Sequence, residues 1–201
     1  MISERRAAGI GAVAFGVLTV VGLLLIGPVG GEYDEGGIAD YLSSDHRPLV
    51  FVGLYVGLLA TLGLMVVLSY LRKGLEGLRA AVTTTAGTAA VAGWIIGWSL
   101  LCLGPLSLSL GGAPGIDPEV SYMFAQAGWF VLFFAGAAML GIALLAAGTG
   151  LTGYPAWVRW ATVIAGLACL ATTAYFPFFL LLLWALVVGI WLAFSAEPQT
   201  A

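Results

Sequence analysis

The sequence predicts an all-α fold: a polytopic membrane bundle of six transmembrane helices forming one domain over residues 1–201. Three observations predict it. Hydrophobic residues make up 61% of the chain, with 29 glycines besides. Only 8% of residues are charged, seven Lys or Arg and ten Asp or Glu, and mean hydropathy is +1.07. Apolar runs of the roughly 20 residues needed to cross a hydrocarbon core of about 30 Å recur along the chain. A soluble domain is about a quarter charged. So few charges cannot cover a water-soluble globule of 20.8 kDa. That class is excluded, as are disorder and nucleic-acid binding, and the lipid bilayer is the expected surrounding.

The first span is read over residues 7–27, behind Glu4, Arg5 and Arg6. It is longer than the roughly 7–15-residue apolar region of a signal peptide and lacks a small-residue cleavage site, so it is expected to be retained. The second, 49–71, closes on Arg72 and Lys73. The third, 80–104, stops at Pro105, and the fourth, 121–147, follows a Gly- and Pro-rich loop. The fifth, 157–175, and the sixth, 178–194, are separated by Pro177, because one kinked segment of that combined length would not stay inside a bilayer.

With six spans, Arg5, Arg6, Arg72, Lys73, Arg79 and Arg159 fall on the side of both termini, and only Arg47 on the other. Lys and Arg accumulate in short cytoplasmic loops. Both termini are therefore expected in the cytoplasm, in an inner (cell) membrane. Seven acidic residues (Glu32, Asp34, Glu35, Asp40, Asp45, Asp117 and Glu119) face the opposite way, so the pI of 4.9 reflects an acidic outer rim.

Close packing between helices in lipid relies on small residues. The chain offers Gly53-xxx-Gly57-xxx-Thr61, Gly93-xxx-Gly97, Ala12-xxx-Gly16, Ala137-xxx-Gly141 and Ala161-xxx-Ala165-xxx-Cys169. These favour a bundle within one chain, with a homodimer or another membrane protein as the alternative partner. The deeper Trp94, Trp98, Trp129 and Trp184 are expected to fill space opposite glycine grooves. Tyr70, Tyr154, Trp157, Trp160, Tyr122 and Tyr175 are placed at the interfaces. Cys102 and Cys169 lie in apolar runs with no CxxC spacing and a single histidine in the chain, so neither a disulfide framework nor a metal site is expected.

No ionisable residue falls near the middle of a predicted span, whereas proton relays, ion-coupled transporters and voltage sensors require one. Polar groups inside the spans are Thr83, Thr84, Thr85, Thr88, Ser99, Gln126, Thr162, Thr172 and Thr173, of which Thr83, Thr84, Thr88 and Gln126 could line a small cavity. The alternative is that the threonines bond their own i−4 carbonyls. The first outer loop, Pro28 to Pro48, is the longest polar segment. Ile38, Tyr41 and Leu42 there predict a short amphipathic surface helix. Asp45 is expected to cap the second span, with Pro48 in its first turn. Glu32, Asp34, Glu35 and His46 are the candidate outer-face cation or ligand site, with His46 titration a route to pH sensitivity. Their spacing matches no EF-hand or HExxH pattern. No catalytic residue and no cofactor is assigned.

The Ile38-Ala39-Asp40-Tyr41-Leu42 segment, Asp117-Pro118 and the starts of the last two spans carry a resemblance. Those starts read Tyr154-Pro155-Ala156-Trp157-Val158-Arg159-Trp160 and Phe178-Phe179-Leu180-Leu181-Leu182-Leu183-Trp184. The chain resembles a broad group of uncharacterised bacterial six-span membrane proteins of the domain-of-unknown-function kind. The resemblance implies a membrane bundle and transfers no catalytic residue. The expected function is a non-enzymatic accessory, assembly or stress-related membrane component. The alternatives are a facilitator or channel for a small neutral or cationic solute and, behind it, a membrane enzyme with an outer-face site.

Overall fold

A computed structural model describes residues 2–27, 33–110, 116–172 and 178–195. They fold as helices: α1 (Glu4–Ile26), α2 (Glu35–Tyr41), α3 (Arg47–Lys73), α4 (Gly77–Leu101), α5 (Leu103–Leu110), α6 (Pro118–Phe130), α7 (Ala137–Gly150), α8 (Ala156–Leu170) and α9 (Phe178–Phe194). A π-helical turn, Val131–Gly136, joins α6 to α7 without a break, giving a 33-residue rod. Four helical segments are long and apolar enough to cross a membrane: α1, α3, α4 and this rod. Two more, α8 and α9, are apolar but have 15 and 17 residues.

Local chemistry explains several boundaries. The Ser3 hydroxyl accepts the Arg6 N–H and caps α1. Gly27 ends it with φ +83°, where a side chain would be strained. Two boundaries differ from the sequence reading. The cap of α3 is His46, with no side-chain cap bond, while Asp45 accepts from the Ser44 hydroxyl instead. Pro48 does lie in the first turn. The third span ends at Leu101. A turn at Cys102 restarts the chain as α5, and Pro105 falls inside the first turn of α5, where its missing N–H costs no helical bond.

The long elements close a ring: α1 packs on α3, α3 on α4, α4 on the α6–α7 rod, α7 on α8, α8 on α9, and α9 back on α1. Each glycine stripe serves one of these seams. A methyl group on Gly53 would lie 3.0 Å from the Gly22 carbonyl of α1, one on Gly16 would meet Ala185 of α9, and one on Gly141 would lie 2.7 Å from the Gly166 carbonyl of α8. Gly93 meets Gly136, and Gly97 meets Leu132 and the Gly128 carbonyl. These stripes are therefore spent within the chain. Cys102 and Cys169 are free thiols, both buried.

The ring interior is filled by rings. Phe15 of α1 meets Trp94 of α4 edge-on at 4.9 Å, and Trp94 lies 6.2 Å from Phe178 of α9. Phe178 in turn meets Phe133 of the π turn at 4.5 Å. Trp98 lies above Gly57, where a methyl group would come within 2.3 Å of its Cδ2. Trp94, against Gly136, and Trp98, against Gly57, fill space opposite glycines as the sequence predicts, whereas Trp129 stacks on Phe133 and Trp184 bonds Thr162.

Candidate functional site

The two ends of the bundle differ in charge. At one end the first turn of α1 lies beside the last turns of α3 and α9: Lys73 bonds Glu4, and a methyl on Gly9 would collide with the Ala193 backbone. Gly150 packs on Leu75 and Arg79, so the α7–α8 connection with Arg159 is at this end too. Arg5, Arg6, Arg72, Lys73, Arg79 and Arg159 thus gather there against Glu4 and Glu76. Arg5 is 5% exposed, its guanidinium 4.4 Å from the centre of the Trp191 ring. Trp157 and Tyr154 pack on the same indole. Burial and a hydrogen bond with Tyr70 push the Tyr154 phenol above its ordinary value.

The opposite end carries Asp34, Glu35, Asp40, Asp45, Asp117 and Glu119 with Arg47. Glu32 lies outside the described residues. Here the predicted amphipathic helix is present as α2, with Ile38 and Tyr41 buried. Its apolar side lies on protein: it packs on α6, and the Tyr41 hydroxyl donates to the Leu101 carbonyl at the end of α4. Burial pushes the Tyr41 phenol above its ordinary value, keeping it a donor. His46 is half-buried and turned inward, its Nε2 3.0 Å from the Ile26 carbonyl at the end of α1. That contact requires the proton on Nε2. Asp34 caps α2, accepting the Gly36 and Gly37 N–H groups at 3.3 and 2.9 Å. Glu35 is exposed in the first turn.

Of the four outer-face candidates, then, Asp34 and Glu35 share the start of α2, while His46 faces a different partner. The structure instead brings Asp117 and Glu119, with Asp34 and Glu35, within electrostatic reach of Tyr33. Partial desolvation, followed by the charges of Glu35, Glu119, Asp117 and Asp34, raises the Tyr33 phenol above its ordinary value. Its ring meets Tyr122 of α6 edge-on at 5.2 Å. Among the described residues no three His, Cys, Asp or Glu side chains are grouped to hold a metal ion. The sequence places Asp117 and Glu119 in the acidic rim but not beside Tyr33, because they come from the start of α6, a separate element.

The polar-cavity candidates are not brought to one surface. Thr83 is buried and donates across the α4–α7 seam to the Ala143 carbonyl at 3.4 Å. Thr84 donates to Ala80 at i−4, and Thr88 is exposed on the outer side of α4. Gln126 lies on α6, where its amide donates to the Tyr122 hydroxyl at 2.7 Å. Two other span threonines make buried contacts whose partners the spacing along the chain does not give. Thr172 donates to the Phe133 carbonyl at 2.5 Å, and the Trp184 indole donates to Thr162 at 3.0 Å. Compared with family models, with curated proteins and with solved structures, the chain matches none.

Proposed function

We propose that the chain is a non-enzymatic, multi-pass component of a cell (inner) membrane. In this reading α8 and α9 complete six spans, both termini are cytoplasmic, and the acidic end faces outward. Its role is that of an accessory or assembly protein, a rigid helical body held in the bilayer. The observation that carries this reading is the filled interior: Phe15, Trp94, Phe133 and Phe178 converge from four elements of the ring. A solute path needs polar lining and free volume along the axis, and these rings occupy that position with apolar surface. The six-span group that the sequence resembles adds no activity to this reading.

The facilitator reading draws on one observation, the four carboxylates around Tyr33, which would concentrate cations within a Debye length of about 8 Å. Proteoliposomes holding the purified chain separate the two. Passive leak of Na+, K+ and glycerol is expected to equal that of empty liposomes. A saturable flux above that level overturns the accessory reading. Crosslinking in native membranes is expected to recover a second membrane protein in fixed stoichiometry.

A further inference from the structure

At the basic end, a groove of about 380 Å³ runs between α1 and α3. Its walls include Ala7 of α1 and Met65, Val66 and Ser69 of α3, and its mouth carries Glu4 and Lys73. The two helices touch backbone to backbone at Gly11 and Gly63, where a methyl on Gly63 would lie 2.4 Å from the Gly11 carbonyl. One turn nearer the basic end, the small side chain of Ala7 leaves the trough open. The Lys73 ammonium donates to both Glu4 carboxylate oxygens at 2.7 Å. Both side chains are more than half exposed, at 57% and 71%. An apolar trough therefore ends in two adjacent, opposite, solvent-accessible charges. Two other grooves, at Tyr55 and Ile95 and at Ala89 and Met139, are lined without a charged residue.

We propose that this groove binds a glycerophospholipid whose headgroup is zwitterionic and bears a primary amine. The phosphate takes Lys73, the ammonium takes Glu4, and one acyl chain lies against Ala7, Met65 and Val66. An exposed ion pair contributes little while both partners are in water. A headgroup entering between the two charges replaces one charge-assisted contact with two. The pair also discriminates. A trimethylammonium headgroup has no N–H to give Glu4, and an anionic headgroup without an amine sets its phosphate against the carboxylate. General attraction of a basic surface for anionic lipid would produce the opposite preference.

The test is native mass spectrometry of the full chain in micelles, with equimolar phosphatidylethanolamine, phosphatidylcholine and phosphatidylglycerol of matched acyl chains. Phosphatidylethanolamine is expected to be retained about fivefold over either competitor, the discrimination that one exposed charge-assisted contact supplies. Glu4→Gln is expected to abolish the advantage over phosphatidylglycerol. Ser69→Trp keeps both charges, alters an exposed position and fills the trough, and it is expected to reduce retention of phosphatidylethanolamine to the level of the others. Equal retention of the three lipids, a preference for phosphatidylglycerol, or a preference that survives both substitutions overturns the proposal. Flux measurements do not bear on it, so its failure is distinct from failure of the accessory reading.

Discussion

Gly57 and Trp98 show how little freedom a single position has. The indole is fully buried, and a methyl group added to Gly57 would lie 2.3 to 2.7 Å from three of its ring carbons. The same ring also abuts Gly22, so it has no empty side to move into. Gly57→Ala is expected to destabilise the fold by about 1–3 kcal/mol through overpacking. The indole N–H groups of Trp94 and Trp98 and the Thr19 hydroxyl are buried without a hydrogen-bond partner among the described residues. Trp98→Phe therefore sacrifices no hydrogen bond, and its cost is confined to the smaller ring. It is expected to be milder than Trp98→Ala, at about 3–5 kcal/mol. Circular dichroism during denaturant titration in mixed micelles orders the three. A Phe variant as unstable as the Ala variant would mean that the N–H is in use.

At the scale of elements, the π turn and α2 each depend on one hydroxyl. In the π turn, the Ala137 N–H donates to Leu132, five residues back. Returning to α register leaves a carbonyl without a helical donor. The Thr172 hydroxyl reaches the Phe133 carbonyl, tying the end of α8 to the middle of the rod. Thr172→Val keeps the shape and removes the donor. It is expected to cost about 0.5–1.5 kcal/mol in the same titration, the net worth of one buried hydrogen bond, while Thr172→Ser restores most of it. Equal stability of the Val variant would show that this bond contributes nothing to the fold.

The α2 helix is held by Tyr41 and its bond to Leu101. Because burial raises the folded-state pKa above the ordinary 10.0, the protonated phenol is favoured in the fold. Its stabilisation is complete below about pH 10 and declines as pH rises from there toward the folded value. Thermal midpoints measured from pH 7 to 11 are expected to fall above pH 10, and Tyr41→Phe is expected to flatten that part of the profile. An unchanged slope in Tyr41→Phe would assign the alkaline loss elsewhere.

For the whole molecule, charge and topology are one property. The ring places the first turn of α1, the last turn of α3 and the last turn of α9 at the same end, and the cations collect there. With the native thiols buried, single cysteines at Ile2, Ser195 and Asp40 report sidedness. The first two are expected to react with an impermeant maleimide from the cytoplasmic side and the third from the outer side. Reaction of positions 2 and 195 from opposite sides would leave an odd number of spans.

Much of this architecture was legible in the chain because the reasons are local. Hydrocarbon length marks α1, α3, α4 and the α6–α7 rod, and a three-residue apolar pattern marks α2. Glycine and alanine at i, i+4 spacing mark the seams. The candidate site was less legible. Spacing along the chain pairs Asp34 with Glu35, but Asp117 and Glu119 join them only through the contact between α2 and α6. The sequence puts His46 with the outer-face acids, yet its bond to Ile26 depends on where α1 ends. By itself the sequence determined solvent, helical class and charge asymmetry, since each follows from the transfer cost and spacing of side chains along one strand of chain. Only the tertiary structure decided which glycine meets which indole, which carbonyls lose their helical donors, and which charges become neighbours. Those relations are distances between residues far apart in the chain, and no linear pattern encodes them.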